Sequence, residues 1–231
     1  MQPYFLPYIG YFQLLTAVDR FVVLDDVNFI NRGWINRNKI SSNEGGEQWI
    51  TIPLEHASQN RLISDIDILA DNGWKKKMCR HVAATYCAAS QTRTVGPMFD
   101  RWIAAATGNL SKFLVSCMGD AASYLGIRTE IVRASALHPR SGLRGSDRIL
   151  DICRQEGATT YINPPGGRLL YEASEFRRRE VELRFLEPNL EMMELAHAGT
   201  GMPTLSILDL MMRNAPGRIQ DALGSYRLTE T

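Results

Sequence analysis

Thr129–Ala134 (TEIVRA), Asp147–Glu156 (DRILDICRQE), Thr159–Ile162 (TTYI), Arg168–Arg179 (RLLYEASEFRRR) and Val181–Leu186 (VELRFL) decide the fold. Short β-branched, apolar runs alternate here with longer segments of helical spacing. Ser146 stands where an N-cap belongs, and Gly157 ends the helix that opens at Asp147. A β-α-β-α-β order needs crossovers, and crossovers make a parallel sheet. Toward the amino terminus, Gly10–Val18 (GYFQLLTAV) reads as a short helix and Phe21–Val27 (FVVLDDV) as a buried strand ending in acid. Both can join the same sheet. Gln48–Leu54 (QWITIPL) reads as a further strand, and Leu62–Leu69 (LISDIDIL) alternates like a half-exposed one. Asn72–Ala89 and Met98–Leu125 carry helical spacing, with Gly96-Pro97 between them and Gly126 at a C-cap. The expectation is an α/β fold: a three-layer, Rossmann-like, mostly parallel sheet in a single domain over 1–231. Residues from about 70 to 126 form a helical subregion or flanking bundle.

The bulk numbers exclude several classes. With a net charge of +1 the chain has no general attraction for DNA or an anionic membrane, so charged ligands must be held locally. The apolar runs are broken by charge before a spanning length, and no leader pattern is visible, so a cytoplasmic location is the expectation. Cys79, Cys87, Cys117 and Cys153 form no C-x-x-C pair and read as reduced thiols. Cys153 is the best placed as a nucleophile, because it precedes the Asn163 loop, although nothing beside it in sequence would lower its pKa. His56, His81, His138 and His197 are isolated and complete no Ser-His-Asp or Cys-His order. Two adjacent acids with no His or third acid nearby make no metal site.

Ligands of such sheets bind beyond the carboxyl ends of strands, which points to the loops after Tyr4, Leu24 and Ile162. Gln2, Tyr4, Tyr8 and Gly10 offer hydrogen bonds, stacking and a close backbone approach. Asp25 and Asp26 are candidate catalytic bases. As neighbours on a strand they should point to opposite faces. Arg32, Trp34, Asn36, Arg37, Asn38 and Lys39 (with Gly33 and Ile35, RGWINRNK) form the richest polar cluster. If that segment is extended, Arg32, Trp34, Asn36 and Asn38 share a face that suits a nucleotide sugar. Asn163-Pro164-Pro165-Gly166-Gly167 follows a strand and opens a helix, so its amides can bind an anion, with Arg168 adding charge. Asp209, among apolar residues, supports the site rather than reacts.

These motifs together resemble those of the WbqC-like protein family. The resemblance is carried by QPYFLPYIGYFQLL (2–15), FVVLDDV (21–27), GWINRNKI (33–40), RILDIC (148–153), YINPPGG (161–167) and LSILD (205–209). It implies a role in bacterial O-antigen or other surface polysaccharide synthesis: transfer of glycine or a similar acyl group to a nucleotide-linked amino sugar. Asp25 or Asp26 would deprotonate the sugar amine. Arg32, Arg37 and the Asn163–Gly167 loop would hold phosphates, and Trp34 and Tyr4 would stack on sugar or base. The activated donor would come from an acyl carrier, a CoA thioester or aminoacyl-tRNA, and the neutral chain argues against the last. A non-catalytic nucleotide-sugar or carrier binder, and a nucleotidyltransferase, are the alternatives. The resemblance also implies a His where Met78 stands, and apolar residues ahead of Gln2 that complete a first strand, so the sequence is expected to start inside that strand.

Overall fold

The computed structural model describes residues 1–138, 142–196 and 204–230; His197 lies outside them. In chain order the elements are α1 (Ile9–Thr16), β1 (Arg20–Val23), β2 (Arg37–Ser41), β3 (Glu47–Thr51), β4 (Leu54–Glu55), β5 (Asp67–Ile68), α2 (Trp74–Thr85), α3 (Thr92–Ala105) and α4 (Leu110–Tyr124). They continue with β6 (Glu130–Arg133), α5 (Ala134–Leu137), α6 (Gly145–Glu156), β7 (Thr160–Asn163), α7 (Ala173–Arg177), β8 (Glu182–Pro188), α8 (Leu190–Ala196), α9 (Ile207–Arg213), α10 (Pro216–Leu223) and β9 (Tyr226–Thr229).

The architecture is mixed α/β with small sheets. β1 and β6 pair in parallel, Arg20 opposite Glu130 through Val23 opposite Arg133. β7 and β8 also pair in parallel, and β9 closes that sheet antiparallel to β8. β2–β3 and β4–β5 are antiparallel pairs. The expected single sheet is therefore divided: β1–β6 and β7–β8–β9 are separate sheets among the described residues.

The strands of the deciding stretch form where apolar patterning places them. Its helices follow less closely. α6 opens at Gly145, one residue ahead of Ser146, and receives no side-chain cap, while Gly157 ends it at φ 63° as expected. The helix expected over 168–179 shrinks to α7, preceded by a short 3-10 turn at Pro165–Gly167. Leu169 and Leu170 are exposed, so no buried apolar face supports the missing turns. Two other expectations are corrected. Pro97 lies inside α3 and costs one early hydrogen bond, while the buried stripe Val95–Phe99–Trp102–Ile103 holds the helix. The real break is Thr107–Asn109, where the Asn109 side chain accepts from Lys112 N–H and caps α4. Leu62–Leu69 is no regular strand: Ile63–Asp65 is a 3-10 turn, and Ile63, Ile66 and Ile68 all bury into the core.

Candidate functional site

β1 ends at Val23, and Asp25 N–H donates to Val23 C=O at 3.0 Å, so both aspartates sit on a turn past the strand's carboxyl end. Both are buried, and they take different partners. Asp25 Oδ1 accepts from Ser135 N–H (2.9 Å). Its Oδ2 accepts from the hydroxyls of Ser111 (2.6 Å) and Ser135 (2.7 Å), with Arg133 Nη1 at 3.5 Å. Its acceptor capacity is committed, so it fastens α4 and α5 to the end of β1.

Asp26 differs. Its Oδ2 accepts from Arg148 Nη2 at 2.7 Å, while Oδ1 is buried with no hydrogen-bond partner. Arg148 Nη2 also donates to His138 C=O at 2.6 Å. Its Nε and Nη1 are buried without hydrogen bonds, and Nη1 lies 3.6 Å from Asp151 Oδ2. Among the described residues, one ion pair thus presents a carboxylate oxygen and a guanidinium Nε with no hydrogen-bond partner, and an Nη1 whose contact is the longer ion pair to Asp151. Each such atom costs about 1–3 kcal/mol if left alone, and a polar ligand is what such groups accept.

Beside them lies Met1. Its ammonium donates to Val22 C=O (3.0 Å), and Leu24 N–H donates to its C=O (2.7 Å), the bonding of a parallel strand against β1. Burial pushes the amine down to about 5 from its ordinary 8.0, although Asp26 pulls it upward. The unfolded chain then binds one more proton than the folded chain between those two values. Stability of the chain beginning at Met1 is accordingly expected to rise as pH increases from about 5 to 8, by up to roughly 4 kcal/mol. Urea midpoints measured across that range check it; a flat profile contradicts the buried amine.

The other expected residues divide. Tyr4 packs on Tyr11 (5.7 Å between centroids), whose hydroxyl donates to Gln2 C=O at 2.6 Å. Burial raises the pKa of Tyr4 and Tyr8. Gly10 leaves room for the Tyr8 ring, because a Cβ there would fall 2.5 Å from Tyr8 Cε2. The 32–39 segment is not extended throughout. Residues 31–36 are turns and bends, and Asn38 is buried while Trp34 is exposed. Asn38 Nδ2 donates to Phe5 C=O (3.0 Å) and Leu6 C=O (2.7 Å), holding Leu6 in the left-handed region at φ 44°. Asn36 Nδ2 is spent on Ile52 C=O at 2.8 Å. Arg37 stacks 4.2 Å over Trp49 and bonds the backbone of Gly33 and Arg32, and Trp34 packs on Trp49 at 5.3 Å. Arg32 is exposed. This aromatic and basic platform stands on β2–β3, and none of its residues lines the cavity described below.

At the second loop, Asn163 is buried against Gly167, whose Cβ, were there one, would stand 2.1 Å from Asn163 Nδ2. Gly166 has open space and Pro164 is half-buried. Two of the amides expected to face an anion bond within the 3-10 turn instead: Gly167 N–H donates to Pro164 C=O and Arg168 N–H to Pro165 C=O. Arg168 is likewise committed elsewhere, pairing with Glu187 at 2.8 Å and stacking on Phe185. Gly167→Ala is expected to lower Tm by roughly 2–10 °C, whereas Gly166→Ala leaves it unchanged. Thermal melts of the two variants check this.

Asp209 stands at the platform side. It is fully buried, and its Oδ1 accepts from Ser41 N–H (3.2 Å), Ser41 Oγ (2.6 Å) and Tyr86 OH (2.7 Å). Its Oδ2 lies 3.3 Å from Arg213 Nε. Met78, where the resemblance implies a His, is buried in the core on α2.

A cavity of about 620 Å³ lies between β1 and β7. Met1, Leu24 and Ile162 line it, whereas Gln2, Asp25, Asp26, Arg148 and Asn163 are not among its lining residues. Cys153 lines it too, but burial pushes its thiol up to about 11, leaving it protonated at neutral pH and unsuited to nucleophilic attack. Among the described residues no group of three or more His, Cys, Asp or Glu could hold a metal, and no helix is long and apolar enough to cross a membrane.

The sequence reading missed Ser111, Arg133, Ser135, Arg148 and Trp49. Arg148 carried a signal: it shares a helical face with Ile152, and a charge on an apolar stripe needs a buried partner. The serines carried none.

The model of the WbqC-like protein family matches residues 2–221. The uncharacterized protein Rv1507c of Mycobacterium tuberculosis is 26% identical over 212 residues, which is 91% of this chain and 90% of that protein. No solved structure matches.

Proposed function

From the premise that this chain belongs to the WbqC-like protein family, we propose that it transfers an acyl or aminoacyl group to the amine of a nucleotide-linked sugar. The observation that supports this reading is the Asp26–Arg148 pair, whose Asp26 Oδ1 and Arg148 Nε have no hydrogen-bond partner among the described residues. The pair stands beyond the carboxyl ends of β1 and β6, where a three-layer Rossmann-like sheet would hold its ligand.

Asp26 Oδ1 takes a proton from the sugar ammonium. The freed nitrogen attacks the carbonyl of an activated donor, a thioester being the class that suits a neutral chain. The C–N bond forms, the C–S bond breaks, and the second nitrogen proton leaves with the thiol. Arg148 faces the developing oxyanion or the substrate's phosphate. In this reading Asn163 and Tyr4 orient the sugar. Such chemistry belongs to the cytoplasmic stage of bacterial surface polysaccharide synthesis.

Incubating purified protein with nucleotide-linked amino sugars and acyl donors tests the reading. A mass gain equal to the acyl group is expected on the sugar nucleotide. Micromolar sugar-nucleotide binding without product would favour a non-catalytic binder. Pyrophosphate release from a nucleoside triphosphate would favour nucleotidyl transfer.

A further inference from the structure

β2 and β3 form a two-stranded ribbon whose two edges differ. Asn36 C=O accepts from Ile52 N–H at 2.8 Å, and Gly46 C=O accepts from Ser42 N–H at 3.0 Å. With Asn38 opposite Ile50 and Ile40 opposite Gln48, the even-numbered residues carry the ladder. The backbone groups of the odd-numbered residues therefore turn outward. On β2 that edge is covered: Lys39 C=O accepts from Ser206 N–H at 2.9 Å, and Ser41 N–H donates to Asp209 Oδ1 at 3.2 Å. On β3 the N–H and C=O of Glu47, Trp49 and Thr51 point out with no partner among the described residues. All three residues are exposed, and Glu47–Thr51 holds no proline, glycine or lysine to blunt the edge. The edge also has a pattern. Trp49 stands at its middle and the acid Glu47 at one end, while at the other end Thr51 lies opposite the cation Arg37. An edge with acid and cation at opposite ends matches itself when turned about a two-fold axis.

We propose that β3 is a dimerisation edge whose partner is β3 of a second copy of this chain. The two strands run antiparallel, with Trp49 opposite the partner's Trp49 and Thr51 opposite the partner's Glu47. Each outward residue then exchanges both of its backbone bonds, and the ribbon becomes half of a four-stranded sheet. The two Trp49 rings become cross-strand neighbours beside Trp34, which already packs on Trp49. The partner's Glu47 faces Arg37 across the short Thr51, two strand spacings or about 10 Å away. A two-residue slip loses this match. In one direction it sets Glu47 against the partner's Trp49, and in the other against the partner's Pro53, which has no N–H to give.

Sedimentation equilibrium of the full chain is expected to show a monomer–dimer equilibrium. As protein concentration rises through it, hydrogen exchange at the Trp49 and Thr51 amides should slow at least about tenfold. The Ile50 amide, already bonded inside the ribbon, should change little. Thr51→Pro removes an outward donor alone, so it should leave Tm nearly unchanged and weaken association at least about tenfold. Glu47→Arg should weaken association too, and mixing that variant with an Arg37→Glu copy should restore it, since acid and cation have then exchanged places. A chain that stays monomeric at every concentration overturns the proposal, and so does a dimer whose Trp49 and Thr51 amides exchange freely. Protection by an added acidic peptide but not by concentration would overturn it as well, because the occupant would then be a foreign strand. Mixed variants that associate no better than either alone would overturn the two-fold match. None of these readouts depends on catalysis, so they stand apart from the transferase reading.

Discussion

Asp26→Asn should reduce product formation by roughly 10²–10⁴-fold while the protein stays folded. The amide keeps an oxygen for Arg148 Nη2, so the bond that ties β1 to α6 survives. What disappears is a carboxylate oxygen that has no hydrogen-bond partner among the described residues, and with it the proposed acceptor for the amine proton. Asp25→Asn should behave in the opposite way. Its two oxygens already accept three hydrogen bonds, and an amide nitrogen in place of either would point a donor at Ser111 or Ser135. The loss falls on stability, by about 1–3 kcal/mol, and activity follows the folded fraction. Measuring rate and urea midpoint on both variants separates the base from the fastener. If Asp25→Asn stays stable and loses activity while Asp26→Asn keeps it, the assignment is reversed.

Asp209→Ala should be the most damaging change to stability, about 3–5 kcal/mol, read as a fall in Tm of roughly 10 °C. The variant leaves Ser41 and Tyr86 hydroxyls buried without their acceptor and removes the carboxylate opposite Arg213. These partners belong to β2, the segment after α2 and α9, so one side chain fastens three stretches far apart in sequence. Burial, with Asp209 beside it, drives the Tyr86 phenol far above its ordinary range, so it serves as a donor at all working pH values. Tyr86→Phe removes one donor and should cost only about 1 kcal/mol. A fall for Asp209→Ala no larger than for Tyr86→Phe would show that the carboxylate is not the hub.

The strands of the last third were legible because a buried parallel strand must be apolar and short, and TEIVRA, TTYI and VELRFL are both. The division of the sheet was not legible: no local pattern states that β1 and β7 stand apart. Of the site, the position of the aspartates past a strand end could be read, but their division of labour could not. It depends on serines 86 and 110 residues away in sequence. In the RGWINRNK cluster the sequence did not show which polar groups are already taken. Its asparagines are consumed by backbone carbonyls, and its Arg and Trp stack on a Trp from the neighbouring strand, so polar density there meets structural demand. Gly167 was read as an amide donor, yet its lack of a side chain is what Asn163 uses.

The most direct measurement is a crystal structure with a nucleotide-linked amino sugar bound. The sugar amine is expected within hydrogen-bond distance of Asp26 Oδ1, with an anionic or carbonyl oxygen on Arg148. A ligand seated instead on the Trp34–Trp49–Arg37 platform, with the Asp26–Arg148 pair untouched, would contradict the account.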